Sequence, residues 1–171
     1  ILEKDLQSID ALINIGLAYY ELNMLDEALE YLDKAEHVGK KQSEVFYSLG
    51  LVYEKKNIPT KALRYYKKSL KINSSNIGVL LNLGNIYLQN KDFENAIHVY
   101  ENALILKPDN PIIFHNLGVT WSKLNKVDEA LDNYLKAIEL NSRNPFTYYN
   151  LGCLYFQNSN FELTKLKEAE L

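Results

Sequence analysis

Asparagines recur in one phase along this chain. Asn14, Asn82, Asn116 and Asn150 are separated by 34 residues or a multiple of 34, and Ser48 fills the one remaining place. A primary amide carries two N–H donors and a carbonyl oxygen that can accept twice. A row of such amides can pair with the backbone of an extended chain, and it can equally bond a neighbouring element of the same protein. Both readings stand at the level of sequence. One residue before each member of the row come Ile13, Tyr47, Leu81, His115 and Tyr149, and three after come Leu17, Leu51, Asn85, Val119 and Cys153. The residues proposed to contact a ligand are Asn14, Tyr47, Asn82, Asn85, His115, Asn116, Tyr149 and Asn150.

No other residue set spells a reaction. The chain contains no HExxH, GxSxG, CxxC or phosphate-loop pattern. His37, His98 and His115 fall at three different phases, and Cys153, the one cysteine, has no histidine at a suggestive spacing. No catalytic residue, metal site or cofactor is expected. A net charge of −3 argues against nucleic acid, whose binding surfaces are basic. Nothing approaches the roughly 20-residue apolar run of a membrane span. One cysteine excludes an internal disulfide and fits a reducing, cytoplasmic setting. The start, ILEKDLQS, carries neither an initiator Met nor a signal peptide, so the chain reads as a piece of a longer protein.

The elements that would position these residues are helices. Leu12, Ile15, Tyr19 and Leu22 recur at three- and four-residue spacing, as do Leu25, Ala28, Leu29, Leu32 and Ala35. Asn23 separates the two runs, and asparagine tolerates a left-handed helix end. Glycines mark the repeat: Gly16, Gly50, Gly84, Gly118 and Gly152 lie 34 residues apart inside helical runs, where glycine costs about 1 kcal/mol relative to alanine. A fixed period in this range signals stacked supersecondary units. The units read as residues 9–42, 43–76, 77–110, 111–144 and 145–171. Residues 1–8 read either as the tail of a preceding repeat or as an extension of the next helix. Ser43 is expected to cap one helix, Pro59 to open another, and Asn110-Pro111 and Asn144-Pro145 to start two more. The last unit has Thr164 where the others have alanine and Glu168 where they have Leu32, Tyr66, Tyr100 and Tyr134. It is therefore a partial repeat or a solvated capping helix pair. Tyr19, Tyr53, Tyr87, Trp121 and Tyr155 are expected in the core.

The pattern resembles the tetratricopeptide repeat, a 34-residue helix–turn–helix. Residues 77–110 supply Leu80, Leu83, Gly84, Tyr87, Ala96, Tyr100, Ala103 and Pro108. The next unit supplies Phe114, Leu117, Gly118, Trp121, Ala130, Tyr134 and Ala137, with Ser142 in place of proline. The resemblance implies an all-α, right-handed α-solenoid of stacked antiparallel helix pairs. It also implies a concave groove lined by the first helices, in which the asparagine row would meet another protein's extended or short helical peptide segment. Similar asparagines line the superhelical arm of O-linked N-acetylglucosamine transferase. Relatives that clamp acidic C-terminal tails place Lys and Arg in this groove, and Lys55 and Lys123 alone make a poor clamp. The resemblance therefore implies a non-catalytic interaction module. Its rivals are a scaffold that self-associates and a substrate-selecting arm of an enzyme whose catalytic domain lies elsewhere.

Overall fold

The computed structural model describes residues 8–39 and 42–169, with side chains as far as residue 158. Every regular element among the described residues is an α-helix: α1 Ile9–Glu21, α2 Leu25–Val38, α3 Ser43–Lys55, α4 Pro59–Ile72, α5 Ile77–Gln89, α6 Phe93–Leu106, α7 Pro111–Lys123, α8 Val127–Glu139 and α9 Pro145–Ala169. The chain forms two compact units, Ile1–Ile86 and Tyr87–Leu171, with the boundary inside α5. In the first unit α1 packs on α2, α2 on α3 and α3 on α4; in the second α6 packs on α7, α7 on α8 and α8 on α9.

Short turns join each first helix to its second, and each contains one left-handed residue: Asn23 (φ 61°), Asn57 (58°), Lys91 (61°) and Asn125 (57°). Three of the four are asparagine, whose short polar side chain lowers the cost of that conformation. The next residue's N–H then reaches back to the helix, Met24 to the Tyr19 carbonyl at 2.9 Å and Lys126 to that of Trp121 at 3.0 Å. This closure satisfies a carbonyl that the helix end would otherwise leave unpaired.

The starts follow the sequence with one exception. Ser8 Oγ accepts from Ala11 N (3.2 Å), Asn76 Oδ1 from Val79 N (3.2 Å) and Asn110 Oδ1 from Ile112 N (2.9 Å). Pro59, Pro111 and Pro145 each open a helix. Ser43 does not cap: Gln42 holds that place and Ser43 is the first helical residue. Its carbonyl accepts from the buried Ser69 hydroxyl at 2.8 Å, which explains how serine replaces alanine there. Since Ser8 is extended and caps α1, it does not continue the helix; residues 1–7 lie outside the described residues.

Small residues bring the helices together. Ala28, Ala35, Ala62, Ala96, Ala103, Ala130 and Ala137 are fully buried. On the same faces of these helices Leu32, Tyr66, Tyr100 and Tyr134 are also buried, and Gly16, Gly50 and Gly118 of the first helices each face one of these side chains. These second-helix side chains, more than the first-helix aromatics, hold the centre of each pair. Fully burying such a side chain is worth about 1.5–3 kcal/mol.

The last unit departs from the expected helix pair. α9 runs unbroken for 25 residues, about 37 Å at 1.5 Å per residue. Ser159 stands where the other units have their left-handed residue, yet it stays helical. Without a second helix folded back, Tyr155 is half exposed, whereas its counterpart Tyr53 is buried. The expectation of a core Tyr155 is corrected accordingly.

Candidate functional site

Three members of the asparagine row are tied to second helices. Asn82 on α5 donates through Nδ2 to the Tyr66 hydroxyl at 3.2 Å, across 16 residues of sequence. Asn116 bonds Tyr100 and Asn150 bonds Tyr134, each at the same separation. The one unit with Leu32 in place of tyrosine is followed by Ser48 in place of asparagine, and Ser48 is buried. So tyrosine and asparagine travel together, as do leucine and serine. Pattern reading missed this pairing, although the 16-residue spacing was available to find it.

Around Asn82 the first unit assembles a polar cluster. Tyr66 donates to Glu54 Oε2 at 2.5 Å, and its ring lies 6.1 Å from that of Tyr47, which also hydrogen-bonds Asn82. Burial, then the hydrogen bond to Glu54, raises the Tyr66 pKa far above the usual phenol value, so this hydroxyl is a permanent donor. Glu54 and Asn82 line a cleft of about 330 Å³ with Tyr20, Leu51 and Lys55. Lys55 donates to the Tyr20 carbonyl at 2.8 Å and covers the Tyr20 ring at 4.3 Å. Asn14 is exposed, Tyr47 and Asn85 are half-buried, and Ile13 is buried. Ile13 and Ser48 share the phase of the proposed contact residues but point into the packing.

In the second unit His115 and Asn116 are half-buried on α7, with Asn150 half-buried and Tyr149 exposed on α9. His115 lies 6.0 Å from the Tyr134 ring, and its Nδ1 is 2.9 Å from Thr147 Oγ1. Thr147 is buried and meets Ser142 Oγ at 3.3 Å. Tyr149 hydrogen-bonds Cys153. Burial raises Tyr134 to about 12, with Asn150 opposing. His37 and His98 are exposed on second helices. Among the described residues no cluster of His, Cys, Asp and Glu could hold a metal ion, and no helix is long and apolar enough to cross a membrane.

Burial lowers the His115 pKa. A histidine held neutral in the fold contributes stability that is fully present above its ordinary value of about 6.5 and is lost as pH falls through the lower folded value. The melting temperature should therefore fall below about pH 6.5, and His115→Gln should flatten that fall. Melting curves at several pH values check this; parallel pH profiles for the two proteins would refute it.

Profiles described as tetratricopeptide repeat match residues 9–36 and 43–76, and one described as TPR repeat matches 84–124 and 122–159. The chain belongs to the tetratricopeptide-repeat family. Structures of similar fold include pilF of Pseudomonas aeruginosa, 26% identical with a TM-score of 0.80, covering 90% of this chain and 70% of that one. A MamA structure from Desulfovibrio magneticus RS-1 is 20% identical with a TM-score of 0.82, covering 95% and 94%. YrrB, described as a TPR protein with an unusual peptide-binding site, is 22% identical with a TM-score of 0.78, covering 93% and 82%. No curated protein matches the sequence. The tetratricopeptide fold is of the all-α solenoid class, and it supports a protein-interaction module. In family terms, Asn82, Asn116 and Asn150 each bond the second helix of the preceding repeat.

Proposed function

We propose that this tetratricopeptide array binds an extended or short helical segment of another protein along the face of its first helices. The observation that carries the reading is the cleft lined by Tyr20, Leu51, Glu54, Lys55 and Asn82, where an apolar wall adjoins fixed hydrogen-bonding groups. Asn82 has two of its four hydrogen-bonding positions engaged by Tyr66 and Tyr47, which holds the amide in place and leaves capacity for a backbone. Asn14, Asn85, His115, Asn116, Tyr149 and Asn150 belong to the same proposal, each within its own unit. The single cysteine supports a cytoplasmic setting as part of it.

Selection from a random peptide library against the intact chain, followed by titration of the recovered peptides, tests the reading. Leu51→Gln should weaken binding about tenfold, the equivalent of 1.4 kcal/mol, while Asp132→Asn, exposed on α8, leaves it unchanged. Full affinity in Leu51→Gln would place the peptides elsewhere.

A scaffold role has an observation of its own. α9 exposes Phe146 (67%), Tyr149 (68%) and Phe156 (70%) alongside Tyr148 and Tyr155. An aromatic surface of this kind is what protein contacts use. Light scattering across a concentration series, with Phe156→Lys as comparison, separates self-association from peptide binding.

A further inference from the structure

The second helices carry an electrostatic anomaly. α2, α6 and α8 each begin with acidic residues: Asp26 and Glu27, Glu94, and Asp128 and Glu129. That is where the helix dipole favours negative charge. The first turn of α4 has no acidic residue and carries Lys61 instead. The helix continues with Arg64, Lys67, Lys68 and Lys71 and contains no carboxylate, in a chain whose net charge is −3. Lys61, Arg64, Lys68 and Lys71 follow three- and four-residue steps, so they share one face.

Part of this charge answers the acidic helix beside it. Lys68 pairs with Glu36 at 2.9 Å, Lys61 lies in the field of Asp33, and Lys56, just before α4, pairs with Asp26. Arg64 and Lys71 have no carboxylate partner among the described residues, and both are exposed. Between them opens a cleft of about 660 Å³ whose lining includes Phe46, Tyr65 and Ile72. Lys68 Nζ, itself in the lining, stands 4.7 Å over the Phe46 ring and 4.8 Å over that of Tyr65, and the two rings stack at 6.2 Å. Glu36, the carboxylate of the cleft, is neutralised by Lys68 and also accepts from the Tyr65 hydroxyl at 3.3 Å.

We infer that this cleft is a second docking site, separate from the first-helix face, for an acidic peptide segment carrying one large apolar side chain. The apolar side chain packs on Ile72 and against the stacked Phe46–Tyr65 pair. Flanking carboxylates meet Arg64, whose planar fork suits a bidentate carboxylate, and Lys71, a mobile point charge at the rim. The volume is in the range of small-ligand clefts and accommodates a side chain. A flat anionic surface would reach the cations but not the recessed aromatic floor, so the concavity favours a peptide over a membrane.

The test uses the full chain and three fluorescein-labelled peptides, in which a central Phe, Leu or Ala is flanked by two glutamates on each side. A fourth peptide has the glutamates replaced by lysine, and vesicles of phosphatidylserine provide the membrane arm. The Phe and Leu peptides should bind at least tenfold tighter than the Ala and lysine peptides, and more weakly as salt rises. Arg64→Gln with Lys71→Gln should reduce that binding at least tenfold, whereas Leu51→Gln leaves it intact. Both α4 substitutions lie on exposed side chains, and an unchanged melting curve confirms that the variant is folded. Equal binding of the Phe and Ala peptides, indifference to the double substitution, or binding to vesicles alone would each overturn the inference.

Discussion

Gly118→Leu is expected to destabilise the second unit strongly. A Cβ at this position would stand 2.6 Å from Tyr134 Cδ1 and 2.7 Å from Cε1. Atoms of real side chains do not approach so closely, so the ring or the helix must move. Tyr134 is 1% exposed and packs with Ala130 and Leu154, flanked by Trp121 and Leu151, so the ring has no free volume to enter. Overpacking usually costs about 1–3 kcal/mol, and occasionally more. A leucine adds three further carbons at a contact already too short for one. Against the roughly 5–15 kcal/mol that holds an ordinary domain, that loss is large. Trp121 is the chain's only tryptophan and stands beside this contact, so its fluorescence reports the second unit selectively. The internal control is Gly152, where a Cβ would meet nothing within 4 Å. Gly152→Ala should stabilise α9 by about 0.8–1 kcal/mol through helix propensity alone. Equal midpoints for wild type and Gly118→Leu in denaturant would show that the crossing is not close.

The same glycines show how far sequence carries. Their phase, the alanines across from them, the asparagine turns and the Asn110-Pro111 start could all be read without coordinates. Each is a local rule: a small residue at a crossing, an amide at positive φ, a proline at a first turn. Partners of polar atoms are another matter. Periodicity says that Asn82, Asn116 and Asn150 flank the apolar stripe; it does not say what their amides bond. That depends on where a residue 16 positions earlier falls in space. The exchange of both partners at once, Leu32 with Ser48, was the accessible clue. Ser43 failed as a cap because the extended Gln42 takes that place and the helix starts one residue earlier than a cap at Ser43 needs. α9 failed as a helix pair for an energetic reason. With Thr164 and Glu168 at the places of the packing alanine and tyrosine, folding back would bury polar side chains and gain little apolar contact. The helix therefore continues through Ser159. Periodic matching weighs each position separately and does not register that the turn and the packing residues fail together.

Tyr66→Ala should cost the first unit about 3–5 kcal/mol, the usual range for removing a buried aromatic ring. Tyr66 is fully buried, faces Gly50, and joins Glu54 and Asn82 through one hydroxyl. Tyr66→Phe keeps the ring and removes the hydroxyl, so its cost should be smaller, about 1–3 kcal/mol, because the Glu54 and Asn82 hydrogen bonds go together. The first unit already contains an alternative solution in Leu32 and Ser48. Tyr66→Leu combined with Asn82→Ser reproduces that pair one repeat later, and should be more stable than the sum of the two single changes allows. Contacting residues commonly couple by about 0.5–3 kcal/mol. Denaturation followed by far-ultraviolet circular dichroism, run on the wild type, both single variants and the double variant, closes the cycle. A positive coupling means that Asn82 is held chiefly by Tyr66 and contributes to a ligand only through the capacity left over. If Asn82→Ser costs the same whether residue 66 is tyrosine or leucine, the amide is not anchored by that hydroxyl. In that case the tyrosine–asparagine pairing fails as an account of the row, and contact with a bound chain becomes its main explanation.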